Sequence, residues 1–73
     1  MTVFEVMEKF EGMSFNVNDK EDTTLLANVE FKDFKDILIR GYEETEEEYM
    51  LFDTVAEKGV AQINFTTNTI ITD

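Results

Sequence analysis

Apolar residues along this chain recur with two different periods. In MTVFEVMEKFEGM, Val3, Val6, Met7 and Phe10 fall three or four positions apart, the spacing that lines one face of a helix. Thr2 and Glu5 match the capping-box pattern at its start and Gly12 can end it, so the spacing predicts a helix over residues 2 to 11. At Met13 the period drops to two. Met13, Phe15 and Val17 alternate with Ser14 and Asn16, which predicts a half-buried strand ending in the polar turn NDKEDT. Thr24 to Phe31 alternates in the same way, with Leu25, Ala27, Val29 and Phe31 on one face, so a hairpin follows. Ile37 to Tyr42 and Val60 to Thr66 read as further strands, the latter with Ala61, Ile63 and Phe65 alternating with Gln62 and Asn64. The tail TNTIITD adds a short edge strand.

The stretch from Thr45 to Gly59 supports two readings. As a helix it has a second capping box in Thr45 and Glu48, an apolar face of Tyr49, Phe52 and Val55 or Ala56, and Gly59 as a cap. As a strand, Tyr49 to Val55 pairs with Val60 to Thr66 through an AEKG turn. The clean alternation of Met50, Phe52 and Thr54 with Tyr49, Leu51 and Asp53, and the short antiparallel connections that sequential strands need, favour the strand. No repeat, proline or Gly/Ser linker divides the chain. Residues 1–73 therefore read as a single acidic α+β domain, an N-terminal helix packed on a four- to five-stranded antiparallel sheet, with a second helix at 46–58 in the helical reading.

Composition narrows the function classes. An apolar content of 42%, with seven Phe, is enough for a core. The chain nevertheless carries 17 acids against six bases, a formal charge of -11. Such self-repulsion opposes folding, and it is screened over about 8 Å at physiological ionic strength. Its sign excludes nucleic acid and anionic membrane as direct partners and leaves a basic protein, polyvalent cations or no particular partner. Cys, His and Trp are absent, so thiolate or imidazole chemistry is unavailable, and the lone Ser14 has no base to activate it. A non-enzyme without cofactor or bound metal is expected. The loop NVNDKEDTT has oxygen side chains at positions 16 and 18, but Lys20 and the missing glycine rule out an EF-hand. The N-terminus has acids where a signal peptide needs bases, and no apolar run approaches the roughly 18 residues of a membrane span.

The candidate site is YEETEEEY. Glu43, Glu44, Glu46, Glu47 and Glu48 fill five of six consecutive positions between Tyr42 and Tyr49, and from Gly41 to Glu57 there is no base. A solvated loop or helix start accounts for such a run. So does a surface that presents carboxylates to a groove built for phosphates. Fully extended, six residues span about 20 Å, where duplex DNA places on the order of twelve charges. A mimic therefore needs further acids on the same surface, and Glu21, Asp22, Glu30 and Asp53 are the candidates. Tyr42, Tyr49 and Met50 can serve as interface contacts or as sheet packing. The bases Lys32, Lys35 and Arg40 are too sparse to bind nucleic acid and are expected to balance acids across the sheet.

Small, Cys-free, acidic α+β chains of this length resemble phage-encoded inhibitors of DNA-handling enzymes, the class that includes anti-CRISPR proteins, anti-restriction proteins and uracil-DNA glycosylase inhibitors. DILIRGYEETEEEYMLF, residues 36 to 52, is similar in layout to the central hairpin of the glycosylase inhibitors, which runs from an Asp-Ile-Leu strand through Tyr and an acidic loop into a Met-Leu strand. That family's Glu-Ser-Ile motif has no counterpart here. The resemblance implies a DNA mimic that occupies the basic groove of a DNA- or RNA-handling enzyme in the cytoplasm of a bacterial host cell. It also implies that Met50 and Leu51 belong to an apolar pocket. The alternative is an adaptor or homo-oligomeric protein that binds through an aromatic and Met sheet surface, and the sequence leaves the oligomeric state open.

Overall fold

The computed structural model describes residues 1–41 and 46–73. Helix α1, Val3–Lys9, begins as its capping box dictates. The Thr2 hydroxyl accepts from the Glu5 amide at 3.2 Å, and the Glu5 carboxylate accepts from the Thr2 amide at 3.0 Å. Val3, Val6 and Met7 are buried, and Gly12 at φ 95° turns the chain toward the sheet.

Strands β1 (Phe15–Asn18) and β2 (Thr24–Val29) form the expected antiparallel hairpin. Its turn is closed by Asp19, whose Oδ1 accepts from the amides of Glu21 and Thr23, both at 2.9 Å. In β2 the simple alternation fails. Leu26 faces Val17 and Val29 faces Phe15, so three steps on β2 oppose two on β1. The extra residue is absorbed as a bulge at Ala27 and Asn28, where Asn28 takes φ 53° and donates its amide to Asn16 Oδ1 at 2.9 Å. Leu26 is therefore buried and Ala27 exposed, the reverse of the sequence expectation.

Helix α2 spans Phe31–Arg40, where a strand over Ile37 to Tyr42 was expected. Phe31, Phe34 and Ile37 are its buried residues and recur every three positions. Assigning Phe31 to the preceding strand cuts this period in half and leaves ILI looking extended. Glu30 caps the helix start, its amide donating to Asp33 Oδ2 at 2.8 Å, and Gly41 at φ 80° ends it. Helix α3, Glu46–Ala56, replaces the favoured strand at Tyr49 to Val55 and realises the helical alternative. Val55 and Ala56 are buried and Phe52 packs against the core. Three Glu at the helix start sit favourably at the positive end of its dipole. The capping box proposed at Thr45 lies outside the described residues.

Strands β3 (Val60–Asn64) and β4 (Thr69–Thr72) complete a sheet of order β2-β1-β4-β3. β4 pairs antiparallel with β3 but parallel with β1, so the sheet is mixed where all-antiparallel pairing was expected. The tail is also central rather than an edge. Ile70 is buried between its neighbours, and the buried Thr72 hydroxyl donates to the Asn18 carbonyl at 3.3 Å. A parallel neighbour requires a long connection, and the α2–α3 segment supplies the chain length for it. The core joins α1, Phe15, Val17, Leu26, Phe31, Phe34, Val55 and Ile70, with the helices over one face of the sheet.

Candidate functional site

The four strands contain no ionisable side chain. Every acid and base among the described residues lies on a helix, in a helix flank, in the β1–β2 turn or at Asp73. The sheet face turned away from the core follows from the register. Thr24, Asn18, Ile71 and Gln62 form one row across it, and Asn16, Thr69 and Asn64 a second. That face is neutral and rich in amides and hydroxyls. The helical layer carries Glu5, Glu8, Asp33, Asp36, Glu46, Glu47, Glu48 and Asp53, flanked by Glu11, Glu30 and Glu57, together with the bases Lys9, Lys32, Lys35, Arg40 and Lys58.

Neutralisation of these acids is partial. Among the described residues, Lys35 pairs with Glu11 at 3.1 Å and lies 5.0 Å over the Phe31 ring, while Lys32 reaches Glu30 at 3.5 Å. Lys32 and Lys35 therefore answer acids beside the helices, not across the sheet. The Glu5 carboxyl is held below its ordinary value of 4.5, first by the Thr2 backbone amide and then by the Thr2 hydroxyl.

Of the sequence candidates, Glu46, Glu47 and Glu48 form the exposed first turn of α3. Tyr49 is half-buried, and Met50, 54% exposed, points outward from a helix rather than a sheet. Tyr42, Glu43 and Glu44 lie outside the described residues. The hairpin layout expected for residues 36 to 52 is absent where described, since 36 to 40 and 46 to 52 are helical. Met50 and Leu51 are accordingly exposed on α3 instead of lining a strand-built pocket.

The fold brings some acids together and separates others. A recess of about 140 Å³ between α2 and α3 is lined by Asp33, Asp36, Arg40 and Glu48 with Ile37 and Phe52. Glu21 and Asp22 stand apart. Their turn joins β1 to β2 at the sheet end where β3 begins, two to three strand spacings of about 4.8 Å from β3.

A second concavity was not anticipated. Phe4 of α1, Phe34 and Leu38 of α2, and Phe52 and Ala56 of α3 enclose about 340 Å³, with Thr2, Asp53 and Glu57 completing the lining. The ring centroids of Phe34 and Phe52 are 4.9 Å apart, edge to face, and those of Phe4 and Phe34 are 6.5 Å apart. The signal for it was the 31, 34, 38 period of α2, masked once Phe31 was given to a strand. No helix of the described residues is long and apolar enough to cross a membrane. Comparison with protein-family models, with curated proteins and with solved structures finds no match to this chain.

Proposed function

We propose that the protein is a non-catalytic inhibitor of a DNA- or RNA-handling enzyme, acting in a bacterial cytoplasm as a DNA mimic whose acidic helical surface occupies the enzyme's basic groove. The observation that carries this reading is the distribution of charge: the strands are uncharged, acids outnumber bases in the helical layer, and α3 carries Glu46, Glu47, Glu48 and Asp53 with no base. Helix formation also packs the acids more closely along the chain direction than an extended run does. Glu46, Glu47 and Glu48 place three carboxylates within one helical pitch of about 5.4 Å, and duplex DNA places about three phosphates along that length. The three fan out around the axis, so no flat partner meets all of them. Asp33 and Asp36 line the recess opposite Glu48 together with Arg40, so a groove-shaped partner meets carboxylates on both helices although α2 itself carries three bases against two acids.

The test captures an enzyme on the immobilised protein from bacterial lysate at low salt, replaces Glu46, Glu47 and Glu48 by Gln, alone and together with Glu43→Gln and Glu44→Gln, and measures inhibition of that enzyme against salt. Loss of inhibition and a shallower salt dependence are expected. Unchanged inhibition by the quintuple variant would refute the mimic. An adaptor that binds through apolar surface is the second reading, favoured by the exposed Ile39, Met50 and Leu51 on α2 and α3. It predicts binding that persists at high salt.

A further inference from the structure

The groove enclosed by Phe4, Phe34, Leu38 and Phe52 has the size of a small-ligand site, at the low end of the usual range of roughly 300–1,000 Å³. Its walls come from all three helices. Leu38 is 40% exposed, so an apolar surface remains open to a partner there. The ionisable groups among the lining residues are Asp53 and Glu57, and no base is among them. A third carboxylate, Glu5, is bonded to the lining residue Thr2.

This chemistry selects the occupant. A second copy of the chain brings the same acids and a charge of -11, so it is repelled at the groove's edge. An anionic lipid surface is repelled likewise. A segment that combines an apolar side chain with neighbouring cations satisfies both the walls and the edge, and the helix-in-groove arrangement presents residues in that order.

We propose that the α1–α2–α3 groove receives a Leu or Phe side chain from a basic amphipathic helix of the partner protein, while Lys or Arg one turn away lies against Asp53 and Glu57. The proposal rests on the reading of the partner as a basic protein and adds an apolar anchor to it. Charge then steers the encounter and the buried side chain slows release.

The experiment titrates the full chain with two labelled helical peptides of equal charge. One is built of Lys with Leu at three- and four-residue spacing, and the other carries Asn in place of each Leu. The Leu peptide is expected to bind at least about tenfold more tightly, the scale of burying one such side chain. Leu38→Gln should remove most of that advantage and leave the Asn peptide unaffected, with circular dichroism confirming the fold. Nuclear magnetic resonance should place the shifts on Phe4, Phe34 and Phe52. Equal affinity of the two peptides, failure of the Leu peptide to bind, or shifts confined to the sheet would overturn the groove. None of these results touches the carboxylate mimic, which is decided separately by the Glu→Gln variants.

Discussion

The contact between Phe34 and Phe52 is the most informative place to perturb the fold, because it joins two helices that simple alternation had rendered as strands. Phe34 is 1% exposed and meets the half-buried Phe52 edge to face at 4.9 Å. Phe34→Leu keeps an apolar side chain of similar volume and should cost about 1–1.5 kcal/mol. Phe52→Leu should cost less, because one side of its ring is already open to the groove. If the rings interact as described, the two losses will not add. An edge-to-face pair contributes about 0.5–1.5 kcal/mol beyond area burial, and the first substitution already removes it. The double variant should therefore be less destabilised than the sum by that amount. A chain of this length has roughly 4–11 kcal/mol in total, so every member of the cycle stays folded. Urea unfolding followed by far-ultraviolet circular dichroism measures all four proteins, with equal slopes required for the comparison. Additivity to within about 0.3 kcal/mol would refute the contact and the packing of α3 on α2.

Other outcomes follow from single features. Thr2→Ala removes the hydroxyl that caps the Glu5 amide and should lower stability by about 1 kcal/mol in the same assay. Because the folded-state pKa of Glu5 lies below its ordinary 4.5, its contribution is complete above that value and disappears as pH falls through the folded value. The stability gap between the natural protein and Glu5→Gln should accordingly close on acidification below pH 4.5, and a gap constant with pH would contradict the cap. Asn28→Val forces a β-branched residue to φ 53° and should cost about 1–2 kcal/mol, whereas Asn28→Gly should be nearly neutral. Thermal stability should rise as salt is added from low ionic strength, since 17 acids face six bases. A flat or falling melting temperature would show that the repulsion is already neutralised.

Where local chemistry decides, the sequence was legible. Thr2 with Glu5 and the alternation of Phe15 and Val17 with Asn16 appear where their side chains demand them, the strand running from Phe15 to Asn18 instead of Met13 to Val17. The α+β class follows from those elements alone. Legibility failed where one apolar run satisfied two periods. Phe31 reads equally as the last residue of a strand or the first of a helix, and only the buried series of Phe31, Phe34 and Ile37 resolves it. Met50 to Asp53 is apolar enough to alternate by accident, while Tyr49, Phe52, Val55 and Ala56 mark the helix actually formed. The central place of β4 depends on a parallel partnership with β1 more than fifty residues away, which no local pattern encodes. The acidic run was visible from the start. Its neighbours on α2 and the adjoining apolar groove were not, because both depend on α2 being a helix.

The central claim is that the acidic helical layer stands in for a polynucleotide. The most direct measurement immobilises the natural protein, exposes it to bacterial lysate at low salt, and elutes first with duplex DNA or structured RNA and then with rising salt. A nucleic-acid enzyme displaced by polynucleotide, and no longer captured when Glu43, Glu44, Glu46, Glu47 and Glu48 are replaced by Gln, is the predicted result. Captured proteins that polynucleotide fails to displace, or that the Gln variant retains equally well, would contradict it.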